Sequence, residues 1–185
     1  MTNEGQAVRR RLGDPPVKAI LDRMIRVDHA GEYGAVHIYR GQLAILGRRE
    51  VGATLRQMES QEQEHLDTFN RLVIARRVRP SALQPLWGAL GFALGVGTAL
   101  LGEKTAMACT VAVEEVIEEH YLEQSELLKD GESELKTTLE KFRDDEMEHR
   151  EIGIDHGATD HPAYPVLSTA IKAGSRLAIW LASRI

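Results

Sequence analysis

A single cysteine, Cys109, leaves no partner for an internal disulfide and fits a reducing compartment. Proline is scarce, at 6 of 185 residues, and aromatics make up only 5%, which argues against a many-stranded β architecture. No early apolar run is long enough for a secretory signal, because Glu4 and Asp14 interrupt it. Basic charge is confined to one half: residues 1–79 carry a net +4 and residues 80–185 a net −9. That basic half has few aromatics and no nucleic-acid motif, so no nucleic acid is expected as a partner. What is present is 43% hydrophobic and 28% charged residues, which excludes wholesale disorder. A chain of this length can bury about 70% of its unfolded surface.

Residues 1–16 read as a flexible tail ending at Pro15-Pro16, with Arg9-Arg10-Arg11 as a solvated run or the remnant of a transit segment. Residues 17–185 read as one helical domain. Leu21, Ile25, Asp28, Glu32, Ala35, Tyr39 and Leu43 recur every three or four positions, one face of a helix that ends near Gly47. A second helix is expected over 50–77, with the stripe Leu55, Met58, Glu62, His65, Phe69 and Leu72. A third is expected over 104–129, carrying Met107, Val111, Glu114, Ile117 or Glu118, and Tyr121. A fourth over 133–156 carries Leu135, Leu139, Phe142, Glu146, His149 and Gly153. Between the second and third lies 80–102, uncharged and with five glycines. An amphipathic helix over 166–184 closes the chain, with Leu167, Ile171, Gly174, Leu177, Ala178 and Leu181 opposite Lys172 and Arg176. No strand pair is evident.

Every long stripe contains a glutamate among apolar residues, and two continue as Glu-x-x-His: Glu62/His65 and Glu146/His149. Positions i and i+3 share a helix face, so each Glu and its His point inward together. An ionised carboxylate in an apolar interior costs several kcal/mol, and four of them unpaired would exceed the stability of an ordinary domain, roughly 5–15 kcal/mol. Cations among them remove the conflict. Spacing supports this: Glu32 precedes Glu62 by 30 residues and Glu114 precedes Glu146 by 32, a helical hairpin stated twice. A Glu from each of two helices plus Glu-x-x-His from each of two others is the constellation of ferritin-like di-iron and di-manganese bundles. The expected metal ligands are therefore Glu32, Glu62, His65, Glu114, Glu146 and His149. Two divalent ions would balance the four carboxylates, and oxygen-rich ligation without thiolate suits iron or manganese better than structural zinc.

The expected fold is an all-α, ferritin-like four-helix bundle with additional interfacial hydrophobic helices. Glu118 rivals Glu114, but Glu114 keeps the 30/32 register and precedes apolar Ile117. Asp145 is a candidate hydrogen-bond acceptor for a ligand histidine. His120 and Tyr121 line the site or are ordinary core packing. Glu115, Glu119, Glu123 and Glu126 read as a solvated face; His29, His37, His156 and His161 read as surface or core residues. Cys109 reads as a small buried hydrophobe.

Three segments carry a resemblance. Residues 26–35 (RVDHAGEYGA), 91–95 (GFALG) and 106–115 (AMACTVAVEE) resemble the demethoxyubiquinone hydroxylase family, over about 20–185. All six ligand positions of that family are present. The resemblance implies a di-iron monooxygenase of ubiquinone biosynthesis that hydroxylates the ring of a polyprenylated demethoxybenzoquinone or quinol. It implies two Fe ions, O2 as co-substrate and NADH as electron donor, although no dinucleotide fingerprint is present: Gly95-Val96-Gly97 lacks the third glycine and a preceding strand. It also implies other ubiquinone-biosynthesis proteins as partners, including a lipid-binding companion, and leaves a homo-oligomer open. The implied location is peripheral, on the matrix side of the mitochondrial inner membrane or the cytoplasmic face of a bacterial inner membrane.

Other functions fit some of the same residues. An iron-storage or peroxide-scavenging protein would use the same ligands without needing 80–102. A radical-generating reductase subunit would use Tyr39 or Tyr121. A non-enzymatic membrane-binding helical protein would leave the six-residue set unexplained. By hydropathy 80–102 could span a bilayer, but one crossing would put Glu32, Glu62 and His65 on the opposite side from Glu114, Glu146 and His149. The expectation is an interfacial segment, with Trp87, Leu90, Phe92 and Leu94 dipping into lipid and Arg76, Arg77 and Arg79 at anionic headgroups.

Overall fold

Each long amphipathic stripe forms a helix. In the computed structural model, which describes residues 7–9 and 13–185, α1 spans Val17–Leu46, α2 Gly52–Ala75, α3 Gln84–Leu100, α4 Glu103–Leu127, α5 Ser133–Asp155 and α6 Tyr164–Ala182. Short 3₁₀ turns at Asp130–Glu132 and Ala158–Asp160 link the later helices. The fold is all-α, with no strand among the described residues. Hairpins α1–α2 and α4–α5 make the four-helix bundle expected of a ferritin-like chain.

Two apolar clusters fill the bundle, one toward each end. Val17, Ile20, Leu21 and Met24 of α1 meet Phe69, Tyr121, Leu135, Leu139 and Phe142 at one end. Tyr39, Leu46, Leu55, Met58, Met107 and Val111 meet at the other. Burying each large apolar side chain contributes about 1.5–3 kcal/mol, so the two clusters fix the register of all four helices around the layer between them.

The helix outside each hairpin is held differently. α3 lies on α1 backbone to backbone: a Cβ on Gly95 would collide with the Ile38 carbonyl, and one on Gly91 would come within 2.6 Å of the Gly34 carbonyl. Gly41 of α1 receives the α3 backbone near Phe92 and Val96 in the same way. α6 lies on α4, with Lys172 paired to Glu115 and Arg176 to Glu119 (2.9 Å). Glu115 and Glu119 are therefore a docking face for α6 rather than the solvated face expected, because the basic side of an amphipathic helix lies against them. Ile171 of α6 shares one apolar cluster with Ile38, Cys109 and Val113, and Leu94 of α3 packs against that cluster, so α3 and α6 flank the α1–α4 seam. Cys109 is the small buried hydrophobe the sequence suggests.

Two further expectations are corrected. Within the expected tail, Ala7 and Val8 are buried: Lys129 N–H donates to the Ala7 carbonyl (2.8 Å) and Arg9 N–H to the Leu127 carbonyl (2.7 Å). Two apolar residues and an unpaired backbone edge after α4 suffice to tie them down. Residues 1–6 and 10–12, including Arg10 and Arg11, lie outside the described residues. In α3 only part of the apolar surface faces outward. Leu90 and Phe92 are exposed (53% and 41%), whereas Trp87 is 8% exposed against Val27, Ala30 and Ala182, and Leu94 packs inward. Helical rotation explains the split, since the glycine side faces α1 and carries its neighbours in with it. Among the described residues no helix is long and apolar enough to cross a membrane.

Candidate metal centre

In the layer between the apolar clusters, each bundle helix contributes one buried glutamate, and α2 and α5 each add a histidine. Ligand atoms of Glu32, Glu62, His65 and Glu146 lie within 4.8 Å of one another, as do those of Glu62, Glu114, Glu146 and His149. Glu62 and Glu146 belong to both groups, so each can face two ions, while Glu32/His65 and Glu114/His149 can each serve one. None of the six is more than 2% exposed.

Several buried polar atoms of this set have no hydrogen-bond partner. Glu32 Oε2, both carboxylate oxygens of Glu62 and of Glu146, Glu114 Oε2, and Nδ1 of His65 and His149 have none. Orphaned polar atoms at such depth are costly, and here all are hard anionic or imidazole donors aimed at a common space. His65 Nδ1 lies 3.3 Å from Glu146 Oε1, and His149 Nδ1 lies 3.1 Å from Glu62 Oε1, close enough for charge attraction yet not hydrogen-bonded. The residues therefore fit a pair of divalent cations.

Electrostatics say the same. Burial pushes Glu62 and Glu114 up, and the charge of Glu146 pushes them further. Burial also pushes Glu146 up, but His149 and His65 outweigh it and hold it at about 2. Burial opposes the imidazolium of each histidine, yet surrounding carboxylates raise His65 to about 12 and His149 to about 11. A cluster that holds protons this tightly is one that demands positive charge.

The surroundings repeat across the hairpins. Tyr39 of α1 donates to Glu114 Oε1 (2.7 Å), and Tyr121 of α4 donates to Glu32 Oε1. Burial and the adjacent carboxylates push both phenols well up, so they remain protonated donors. His65 Nε2 bonds Asp145 Oδ2 (3.1 Å) and His149 Nε2 bonds Gln61 Oε1 (3.1 Å), which turns each Nδ1 inward, a lone pair for a cation once the imidazole is neutral. Gln124 Nε2 donates to Asp28 Oδ1 (2.8 Å) and Gln42 Nε2 to Thr110 Oγ1 (3.3 Å).

All six sequence-predicted ligands thus converge. Glu118 does not: it is half-buried and takes Arg150 at 2.7 Å. Asp145 accepts from His65, and Tyr121 reaches Glu32. His120 lies one step further out, 3.4 Å from buried Asp28. His29 bonds Asn70, His37 the Tyr33 carbonyl, His156 Glu103, and His161 accepts from the Ala163 N–H, none of them in the cluster. The sequence reading missed Gln61, Gln42, Gln124 and Asp28 as parts of the site, and Tyr39 as a partner of Glu114. A signal existed: Glu-x6-Tyr-x-x-Gln occurs at Glu32-Tyr39-Gln42 and again at Glu114-Tyr121-Gln124.

Comparison with known proteins adds a separate finding. The family model described as ubiquinone biosynthesis protein COQ7 matches residues 19–182. A 3-demethoxyubiquinol 3-hydroxylase of Rhodospirillum rubrum is 58% identical over 174 residues, covering 94% of this chain and 82% of that protein. The human NADPH-dependent 3-demethoxyubiquinone 3-hydroxylase, mitochondrial, is 55% identical over 91% of this chain and 79% of its own length. The Saccharomyces cerevisiae 5-demethoxyubiquinone hydroxylase, mitochondrial, is 45% identical over 90% and 79%.

Proposed function

The chain belongs to the ubiquinone biosynthesis protein COQ7 family, and from that premise we propose that it is a monooxygenase that hydroxylates a demethoxyubiquinone or its quinol. The observation that carries the reading is the set of eight partnerless donor atoms facing one another in the bundle. Glu32, Glu62, His65, Glu114, Glu146 and His149 would hold two irons, Glu62 and Glu146 standing in both groups of converging donors. Bound iron supplies the activation of O2 and the transfer of one oxygen atom to the ring. The relatives named above act on demethoxyubiquinone or demethoxyubiquinol, which supports that substrate over ferritin-like storage.

The protein's own residues set the conditions. Nearly complete burial keeps bulk water from the reacting space. Asp145 and Gln61 orient the two imidazoles; Tyr39 and Tyr121 each hold one oxygen of a terminal carboxylate and leave the other inward. Electrons come from a reduced nicotinamide dinucleotide. The sequence reading names NADH; the human relative's name specifies NADPH.

The quinone approaches along the α1–α4 seam between α3 and α6. Exposed Leu86, Leu90 and Phe92 of α3 and Val166, Leu177 and Trp180 of α6 rest in the bilayer surface, so that a prenyl tail stays in lipid while its ring enters the bundle. The setting that this reading assigns is one face of a quinone-bearing membrane; relatives named mitochondrial and one from a bacterium are compatible with it. The test is product analysis: iron-loaded protein with a demethoxyubiquinone, a reduced nicotinamide and ¹⁸O₂ should give a product heavier by one labelled oxygen. Iron oxidation and uptake without any ring product would instead support storage.

A further inference from the structure

The two halves of the centre match in their glutamates, histidines and tyrosines but differ in the acceptor behind each histidine. α2 and α5 correspond with an offset of 84: Glu62 with Glu146, His65 with His149, Gln61 with Asp145. The contacts cross, so His65 of α2 donates Nε2–H to the carboxylate of Asp145, while His149 of α5 donates to the amide oxygen of Gln61. Both bonds are 3.1 Å long. The terminal carboxylates do not differ in this way, since each receives a tyrosine hydroxyl.

We infer that the two cation positions are unequal in affinity and that Asp145 against Gln61 makes them so, the His65 position holding its ion more tightly than the His149 position. The inference rests on reading the cluster as a two-metal centre. An imidazole N–H given to an anion leaves more electron density on the opposite nitrogen than one given to a neutral amide, and charge-assisted hydrogen bonds are roughly twice as strong as neutral ones. Lys141 Nζ, 3.9 Å from Asp145 Oδ2, is two-thirds exposed, so solvent screens it and it offsets little of that charge. Phe142 stacks on the His65 ring with centroids 3.8 Å apart, holding its plane toward the cluster. Asp28, where the other half has Thr110, lies on the same side as Asp145, but it meets His120 (3.4 Å) and Gln124 rather than either cluster histidine, so the weight falls on Asp145. Asp145 and Gln61 are positioning residues; they touch no ion themselves.

The experiment titrates metal-free full-length chain anaerobically with Co(II), read by calorimetry and by the cobalt d–d spectrum. Glu114→Ala keeps the His65 set and Glu32→Ala keeps the His149 set. Glu114→Ala should bind its one Co(II) about 10–100-fold more tightly, the usual reach of a residue bonded behind a ligand histidine. Adding Asp145→Asn, which keeps the acceptor and removes the charge, should erase that advantage; adding Gln61→Glu to Glu32→Ala should restore it. Equal affinities in the two single variants, or no response to Asp145→Asn, overturn the inference while leaving a two-metal centre intact. If either single variant loses its far-UV helical signal, the same question is put to otherwise native chains. There the first and second equivalents of Co(II) should give different spectra, and Asp145→Asn should merge them; identical increments without the mutation overturn the inference. No Co(II) uptake by native chain overturns the two-metal reading itself.

Discussion

The α1–α2 and α4–α5 hairpins share one plan at the centre and differ at the outside. At the centre each supplies a terminal Glu, a shared Glu, a His and a Tyr that crosses to the other hairpin's terminal Glu. Outside, α1 is covered by α3 through glycines that bring two backbones together, whereas α4 is covered by α6 through ion pairs. The difference teaches where the chain tolerates change. The buried glutamates and histidines constrain the centre in both halves, while each cover needs only to dock, and backbone contact and surface ion pairs are two solutions of very unequal strength.

The strongest test of central equivalence is to remove a shared carboxylate. Glu62→Ala and Glu146→Ala should each abolish hydroxylation and take bound iron from two per chain to one or none, with the helical circular dichroism signal largely kept; elemental analysis checks the count. Glu118→Ala, which breaks only the half-buried pair with Arg150, should retain both irons. If Glu62→Ala lost iron and Glu146→Ala did not, the hairpins would not be equivalent.

Acidity acts on both halves together. In the metal-free chain His65 and His149 are raised to about 12 and about 11, so both carry a proton at neutral pH. A cation needs Nδ1 unprotonated, so loading expels these protons, and metal affinity rises with pH and falls on acidification. Each expelled proton steepens the dependence by about tenfold per pH unit, so the two histidines account for about 100-fold, and protons held on Glu62 and Glu114 add to it. Calorimetry in buffers of different ionisation enthalpy counts the protons; a release of only one would mean that one hairpin's histidine is already neutral.

The covers come next. Gly95→Ala would drive a methyl into the Ile38 carbonyl, where only backbone can yield, and should destabilise the protein by about 1–3 kcal/mol or more. Gly97→Ala, on the same helix with nothing within 4 Å, should be neutral or stabilising by up to about 1 kcal/mol. Denaturant unfolding measures both. On the other cover, Arg176→Ala removes an exposed pair with Glu119 and should cost about 0–1 kcal/mol, vanishing at high salt. A large effect there would make the two covers alike.

The legibility of the site in the sequence was uneven for physical reasons. Glu62, His65, Glu146 and His149 were readable because i, i+3 spacing fixes a shared face whatever the neighbours do. Glu114 was separable from Glu118 by register alone, and tertiary contact agrees, since Arg150 is placed to take Glu118. Trp87 was misread because an uncharged helix has no polar side to orient it; its inward face is set by glycines meeting α1. Ala7 and Val8 were misread because two residues are too few to show a period.

By itself the sequence determined the helices, their inward faces, the twice-stated ligand set and the need for positive charge, because all of these follow from spacing along one helix and from the cost of burying carboxylate. Only the tertiary structure decided that Glu62 and Glu146 belong to both converging groups, that each tyrosine serves the opposite hairpin's glutamate, and that one histidine leans on Asp145 while the other leans on Gln61. Those are relations between helices, and periodicity within a helix says which way a side chain points but not what the packed neighbour places in front of it.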